Sequence, residues 1–339
     1  MPPDTLAHRR THNLLLISRL LSLRDNVSPF TLLLDSLSQS AKPLISEHVR
    51  RASIAKFSVV FVSFETLRAP NGVEKFVKGR GKSIPVLQKE IAAAVLAGGA
   101  AKTLLIIDSL NYLSASAPSS LCLFLSSLLT PTTTLLSTYH LDVPLPRNKA
   151  YPETAPDPLT LLKYLSTTLI TVHSIHHVLL QKQHKDRSLP PPIWGLGEDI
   201  EGVVVGLGSN SLEGVVLEME YRRKSGRGVA EWFYLPLADK EVPVKKNGNG
   251  KDKDRVMLLE DHPRWRLSEQ VRRQEEHVDE GDEMRTTFEL GITERQKKAR
   301  DEVVLPYMDA QKEGGGGGGA ILFTPEKEVD DFDEEEDEM

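Results

Sequence analysis

Through the first 175 residues, short runs of consecutive apolar side chains alternate with stretches in which apolar residues recur every three or four positions. The first pattern suits strands buried on both faces, the second suits helices lying on a sheet. Read this way, "NLLLISRLLSL" (13–23) predicts a helix, "FTLLLDS" (30–36) a buried strand, and "PLISEHVRRASI" (43–54) a helix with Pro43 in its first turn, where a missing N–H costs little. "FSVVFVSFET" (57–66) predicts a second strand, "SIPVLQKEIAAAVLAGG" (83–99) a helix ended by Gly98 and Gly99, and "TLLIIDSL" (103–110) a third strand. The series continues with a helix at 119–129, a strand at 132–141, a helix at 157–166 and a strand at 167–175. "HSIHH", with His173, His176 and His177, reads as a polar turn after that last strand. Strands alternating with helices, and lacking polar alternation, predict an α/β fold with a parallel sheet covered on both faces.

After "SLPPPIWGLGED" (188–199) the pattern changes. "EGVVVGLG" (201–208) and the stretch 211–237 contain candidate strands, the latter close enough for a hairpin whose turn near "KSGRG" supplies glycines for positive φ. These predict antiparallel strands at one edge of the sheet. The chain divides into an α/β domain over 1–237, a flexible charged linker over 238–285, and a C-terminal extension over 286–339 ending in "DDFDEEEDEM". Most of 256–339, including the hexaglycine Gly314–Gly319, is expected to lack structure in the free chain.

Charge refines this division. Residues 1–150 carry 17 Lys/Arg against 9 Asp/Glu, residues 151–325 carry 24 against 29, and residues 326–339 carry 1 against 10, which gives the overall net charge of −6. A basic first half fits a nucleic-acid partner and fits a solvated surface of scattered charge equally. The single cysteine, Cys122, rules out an intramolecular disulfide and fits a reducing compartment. The N-terminus resembles a signal peptide only superficially, because Arg19 interrupts its apolar run; it is read as an amphipathic helix, and no stretch is apolar enough to span a bilayer.

Strand, loop and helix at 30–54 are the context of a phosphate-binding loop, G-x-x-x-x-G-K-[ST], in which backbone N–H groups cradle phosphates and the hydroxyl ligates magnesium. In the matching frame "SLSQSAKP" (36–43), Ser36 and Ala41 replace both glycines, Lys42 is retained, and Pro43 takes the hydroxyl position. The added Cβ atoms resist the loop's unusual dihedrals, and Pro43 offers neither a metal ligand nor an N–H. The loop reads as disabled. "GRGKS" (79–83) matches the motif's end, but its first glycine would fall on Phe76 and no strand is expected directly before it, so it reads as a decoy. Asp108 ends "LLIIDS" in the manner of a magnesium-binding Walker B acid, and Glu65 sits where a catalytic base could; without a competent phosphate loop both are read as structural. The histidines at 173, 176 and 177 have no cysteine neighbours and fit no usual zinc spacing, and Gly206-x-Gly208 lacks the third glycine of a dinucleotide fingerprint. No cofactor, metal or catalytic residue is expected.

"PFTLLLDSLSQSAKPLISEHVRRA", "VVFVSFET", "LLIIDSLNYL", "STYHLDVP", the C-terminal "TTFELGITERQKKARDEVVLPYMDAQ" (286–311) and "DDFDEEEDE" together resemble the fifth-subunit family of the Elongator complex, in a fungal-like version. The match follows the same order through most of the chain, with 238–285 unplaced. The resemblance implies a RecA-like fold that has lost its Walker A glycines. It further implies a heterohexameric ring with the fourth and sixth Elongator subunits, an accessory to the remainder of a complex that modifies wobble uridines of tRNA. By the same resemblance the ring is expected to bind tRNA and release it in an ATP-dependent way, with the radical chemistry belonging to another subunit.

Two other functions stay open from the residues: an active NTPase using Lys42 and Asp108, and a monomeric adaptor without RNA. Leu305, Pro306 and Tyr307 in "LPYMDAQ" form an apolar island in a charged region, suited to docking on a neighbouring subunit or to a local turn on their own domain. Arg80, Lys82 and the basic run 222–224 are candidate phosphate contacts by charge alone and stay unassigned, and cytoplasmic and nuclear roles are both expected.

Overall fold

The computed structural model describes residues 3–24, 28–99, 102–146, 151–152, 154–223, 225–237 and 256–266, all within the compact unit Met1–Gln274. Five strands expected from the apolar runs form: β1 (Phe30–Asp35), β2 (Ser58–Ser63), β4 (Thr103–Ile107), β5 (Thr133–His140) and β6 (Thr168–Ser174). A short strand that the sequence did not suggest, β3 (Lys75–Lys78), joins the edge, and β7 (Gly214–Arg222), β8 (Gly228–Pro236) and β9 (Met257–Leu258) complete a nine-stranded sheet. Its order is β3-β2-β4-β5-β1-β6-β7-β8-β9. The first six strands are parallel and the last three pair antiparallel. This mostly parallel sheet with an antiparallel edge is the expected α/β class, with β1 at its centre.

The apolar runs are continuous because successive side chains feed two different cores. Leu33, Val59, Phe61, Leu104, Ile106 and Leu136 point to one face, where α1 (Pro3–Leu21) and α2 (Lys42–Ile54) cover them. Leu32, Leu34, Val60, Val62, Leu105 and Ile107 point to the other, under α3 (Ile84–Ala97), α5 (Pro118–Leu128) and α6 (Pro158–Leu165). The stripe Asn13, Leu16, Ile17, Leu20 and Leu21 seats α1, which starts earlier than its apolar run. Asp157 caps α6, accepting from Leu159 N at 3.0 Å. The short α4 (Asn111–Ser116) precedes α5.

Three further expectations change. "HSIHH" is not a turn: His173 lies on β6, and His176 and His177 open α7 (Ile175–Asp186). Its Ile175, Val178 and Leu179 bury against Val216, Tyr234 and Leu259, an apolar spacing hidden among polar residues. Residues 201–208 form turns rather than a strand, and the hairpin is β7–β8 alone, its turn closed by Arg223 N donating to Arg227 O at 3.0 Å with Gly226 at φ 80°. Within the segment read as a flexible linker, 256–266 are packed: Val256, Leu258 and Leu259 are buried, and β9 pairs with β8. An apolar triplet inside a charged stretch was enough to add an edge strand. No helix of the described residues is long and apolar enough to cross a membrane.

Candidate functional site

β1, β4 and β5 all end at the same edge of the parallel sheet, so their C-terminal residues and the loops that follow converge there. The loop 36–41 joins β1 to α2, the position of a phosphate loop. Its backbone amides face partners from this chain. Ser36 and Gln39 exchange N–H···O bonds at 3.3 and 3.2 Å, closing a small bridge. Leu37 N donates to Asp142 Oδ2 at 2.6 Å, Ser40 N to Asn210 Oδ1 at 2.9 Å, Ala41 N to Asp35 Oδ2 at 2.8 Å, and Lys42 N to Ser40 Oγ at 3.3 Å. Asn210 grips the loop twice more, its N donating to Ser38 O at 2.9 Å and its Nδ2 to Leu37 O at 3.1 Å.

Oxygen atoms of Asp35, Asp142 and Asn210 therefore take up backbone amides of this loop, the kind of group a phosphate nest uses. Hydrogen bonds to charged groups contribute roughly 1.5–3 kcal/mol each, so breaking the two carboxylate bonds to admit a phosphate costs several kcal/mol before any repulsion from the displaced carboxylates. Ala41 is fully buried, leaving its Cβ no room to become loop space, while Lys42 is exposed at the first position of α2, followed by Pro43.

The same strand ends hold a charged cluster. The β1–β5 register sets Asp35 beside His140, and His140 Nδ1 donates to Asp35 Oδ1 at 2.5 Å. Its Nε2 lies 3.3 Å from Glu65 Oε2, close enough for an ion pair although not aligned as a hydrogen bond. Burial pulls the imidazole pKa down, but the Asp35 hydrogen bond and the charges of Asp35, Glu65 and Asp108 outweigh it and hold it above its ordinary value. Asn111 fixes His140 from behind, accepting from its N and donating to its O, both at 2.8 Å.

Asp108 follows β4 and accepts from the amides of Phe64 at 2.7 Å, Glu65 at 3.0 Å and Thr66 at 2.7 Å. Three backbone donors tie the turn after β2 to β4 and use most of the lone pairs a metal would need. Glu65 itself is half exposed. Among the described residues no cluster of three His, Cys, Asp or Glu side chains could hold a metal.

The remaining candidates make none of these contacts. β3 directly precedes Gly79, contrary to expectation, because "KFVK" is too short and mixed to announce a strand. Phe76 is nonetheless a strand residue paired with Phe61, which leaves too few residues for a phosphate loop; Gly79 packs under the Phe64 ring and Lys82 pairs with Glu90. His173 contacts Glu218 at 3.0 Å and stacks on Trp232, whereas His177 stacks on Trp194 with centroids 4.1 Å apart. Gly206 and Gly208 lie in the loop before β7, where Gly208 has φ 81° against His176. Arg222 donates to Tyr164 O at 3.0 Å, and Arg223 lies beside His12. Leu305, Pro306 and Tyr307 fall outside the described residues. Asn210 carried no motif, and Asp142 was read only as part of "STYHLDVP", with its position just past a strand end the one hint at its role.

A central parallel strand running into a loop whose amides are taken by oxygens of the same chain defines this protein as an α/β domain with a mostly parallel, helix-flanked sheet. The chain matches the family model "Elongator subunit Iki1" over residues 16–324. It is 31% identical to Elongator complex protein 5 of Schizosaccharomyces pombe over 327 residues, covering 93% of this chain and 95% of that one. It is also 31% identical to Elongator complex protein 5 of Saccharomyces cerevisiae over 342 residues, covering 96% and 97%. The chain belongs to the Elongator subunit 5 family. Among solved structures, a DnaB-like replicative helicase, described with its interactions with primase, superposes with a TM-score of 0.39 at 8% identity, covering 62% of this chain and 57% of that one.

Proposed function

We propose that this chain is a non-catalytic subunit of Elongator that builds, with the fourth and sixth subunits, an accessory heterohexameric ring. The ring binds tRNA through the assembly and supports wobble-uridine modification, in cytoplasm and nucleus. The observation that carries the non-catalytic reading is the closed loop 36–41, whose amides are bonded to Asp35, Asp142 and Asn210. A domain that keeps strand, loop and helix but fills its own anion site retains the architecture for packing rather than for turnover. In this reading the C-terminal Leu305, Pro306 and Tyr307 dock on a neighbouring subunit. The ring uses heterologous contacts that close on themselves.

The test is the molar mass, by light scattering on a sizing column, of the chain co-expressed with the fourth and sixth subunits. A species holding two copies of each, binding tRNA with a steep salt dependence, is the expected result; partners eluting separately would overturn the ring. Purified alone, the chain should show no magnesium-dependent ATP turnover, and Lys42→Ala should leave that baseline unmoved. Turnover abolished by Lys42→Ala would restore the NTPase reading.

A further inference from the structure

Apolar side chains on the surface of this protein are not evenly spread. Of 19 large hydrophobic residues exposed among the described positions, eight fall between Leu189 and Leu212. Ile193 is 64% exposed, Leu196 57%, Ile200 60%, Val204 51%, Val205 48% and Leu207 87%. At on the order of 100 Å² each, the exposed area of the eight together approaches the roughly 800 Å² that one partner contributes to a standard interface.

The loop's polar backbone is fastened inward. Trp194 stacks on His177 at 4.1 Å, His177 Nε2 donates to Leu207 O at 2.8 Å, Ser174 Oγ donates to Gly208 O at 2.6 Å, and Asn210 clamps the closed loop 36–41. Gly195 is buried, and Glu198 Oε1 accepts from its N at 2.8 Å. Close approach between Gly195, Val204 and Gly206 folds the two halves of the loop onto each other, since a Cβ on Gly206 would meet Trp194 at 2.8 Å. A segment anchored at this many points is preorganised, which lowers the entropic cost of binding. Its aliphatic side chains nonetheless point into solvent.

We infer that the loop 189–212 is a docking surface for another protein subunit of the Elongator assembly, one presenting an apolar face rimmed by lysine and arginine. The commitment to a basic-rimmed protein follows from charge. Residues 189–212 contain Glu198, Asp199 and Glu201 and no Lys or Arg, while the adjoining Glu213 is paired with Arg264 at 2.7 Å. An acidic rim repels RNA phosphates and anionic lipid alike and complements a basic rim. The inference rests on membership of the complex and not on the geometry of the ring.

The test places a photo-cross-linking benzoylphenylalanine at position 196 or 207 of the full chain, co-expressed with the remaining Elongator subunits, and identifies the cross-linked peptide by mass spectrometry. The expected product joins one other subunit at an apolar segment containing Lys or Arg. The double variant Leu196→Asp, Leu207→Asp should then retain that subunit at least tenfold less well in co-purification, with its own melting temperature unchanged. Leu67→Asp with Leu123→Asp, at sites 90% and 77% exposed, should retain it as wild type does. Cross-links confined to this chain, to a second copy or to RNA, or no cross-link at all, would overturn the inference, as would full retention by the 196/207 variant. A hexameric ring with no cross-link at 196 or 207 leaves the ring standing and sinks this surface. A cross-link to another subunit in a preparation without the ring does the reverse.

Discussion

The loops 36–41 and 189–212 are tied together by Asn210, yet they direct their chemistry in opposite senses. In the first, backbone amides that a nucleotide-binding relative would offer to a ligand are bonded to Asp35, Asp142 and Asn210. In the second, the backbone is fastened inward and the side chains left outside are aliphatic. A loop closes when its own chain supplies the acceptors, and it stays open to a partner when the unsatisfied part is apolar surface.

The sharpest way to break the closed loop is Asp35→Ala. It removes a buried carboxylate that holds Ala41 N and His140 together, and should cost about 3 kcal/mol, as leaving buried partners uncompensated does; the urea midpoint at pH 7 measures it. Asp108→Ala strands three amides near the same edge and should cost roughly 2–3 kcal/mol. Magnesium-dependent ATP binding by the unaltered chain, with the Asp35 and Asp142 bonds to its loop intact, would overturn the occupied-loop account. Trp194→Ala attacks the other loop at its anchor and should cost about 1 kcal/mol of stability from the lost ring stack, while amide exchange over 193–208 speeds up and that over β1 does not. Asn210→Ala, which uncouples the two loops, should raise exchange at Ser40 at a cost of about 1 kcal/mol.

Titration separates the closed edge from an unrelated buried site on α2. His140 is held above its ordinary pKa of 6.5, so its contribution is fully present below that value and is lost as pH rises through the folded-state pKa. His140→Gln should flatten the decline in urea midpoint above pH 6.5. His48 is the opposite case: burial, aided by the Arg51 charge, lowers it to about 4, and neither ring nitrogen has a hydrogen-bond partner among the described residues. The unfolded chain takes up a proton there between pH 6.5 and 4 while the folded one does not, so about 3 kcal/mol of stability is lost as pH falls through that window. His48→Leu should remove that slope and raise stability at pH 5; an unchanged slope would show that the ring is solvated in the folded protein. Smallest of all, Leu196→Asp should move the melting point of the isolated chain hardly at all, since its side chain is exposed.

Much of the architecture could be read from periodicity. The buried strands and the helices α2, α3, α5 and α6 followed from runs and spacing, because a residue's face on a strand or helix is a local property. The failures were equally local in cause. β3 is four residues with a single buried side chain, and α7 hides its apolar positions among His, Gln and Lys. β9 is two residues long and forms because β8 offers it a free edge.

The sequence by itself determined that loop 36–43 departs from the phosphate-loop pattern at Ser36, Ala41 and Pro43, and that the sheet would be parallel with an antiparallel margin. Only the tertiary structure decided which acceptors meet the amides of loop 36–41 and what faces outward. Asn210 lies 170 residues from Ser40, and Asp142 lies 105 from Leu37. The Asp35–His140 pair exists because the β1–β5 register aligns those two positions. Hydrogen-bond partners across such separations depend on strand order and register, which no local pattern encodes. The outward turn of the apolar residues in 189–212 likewise depends on which of their neighbours the fold anchors first.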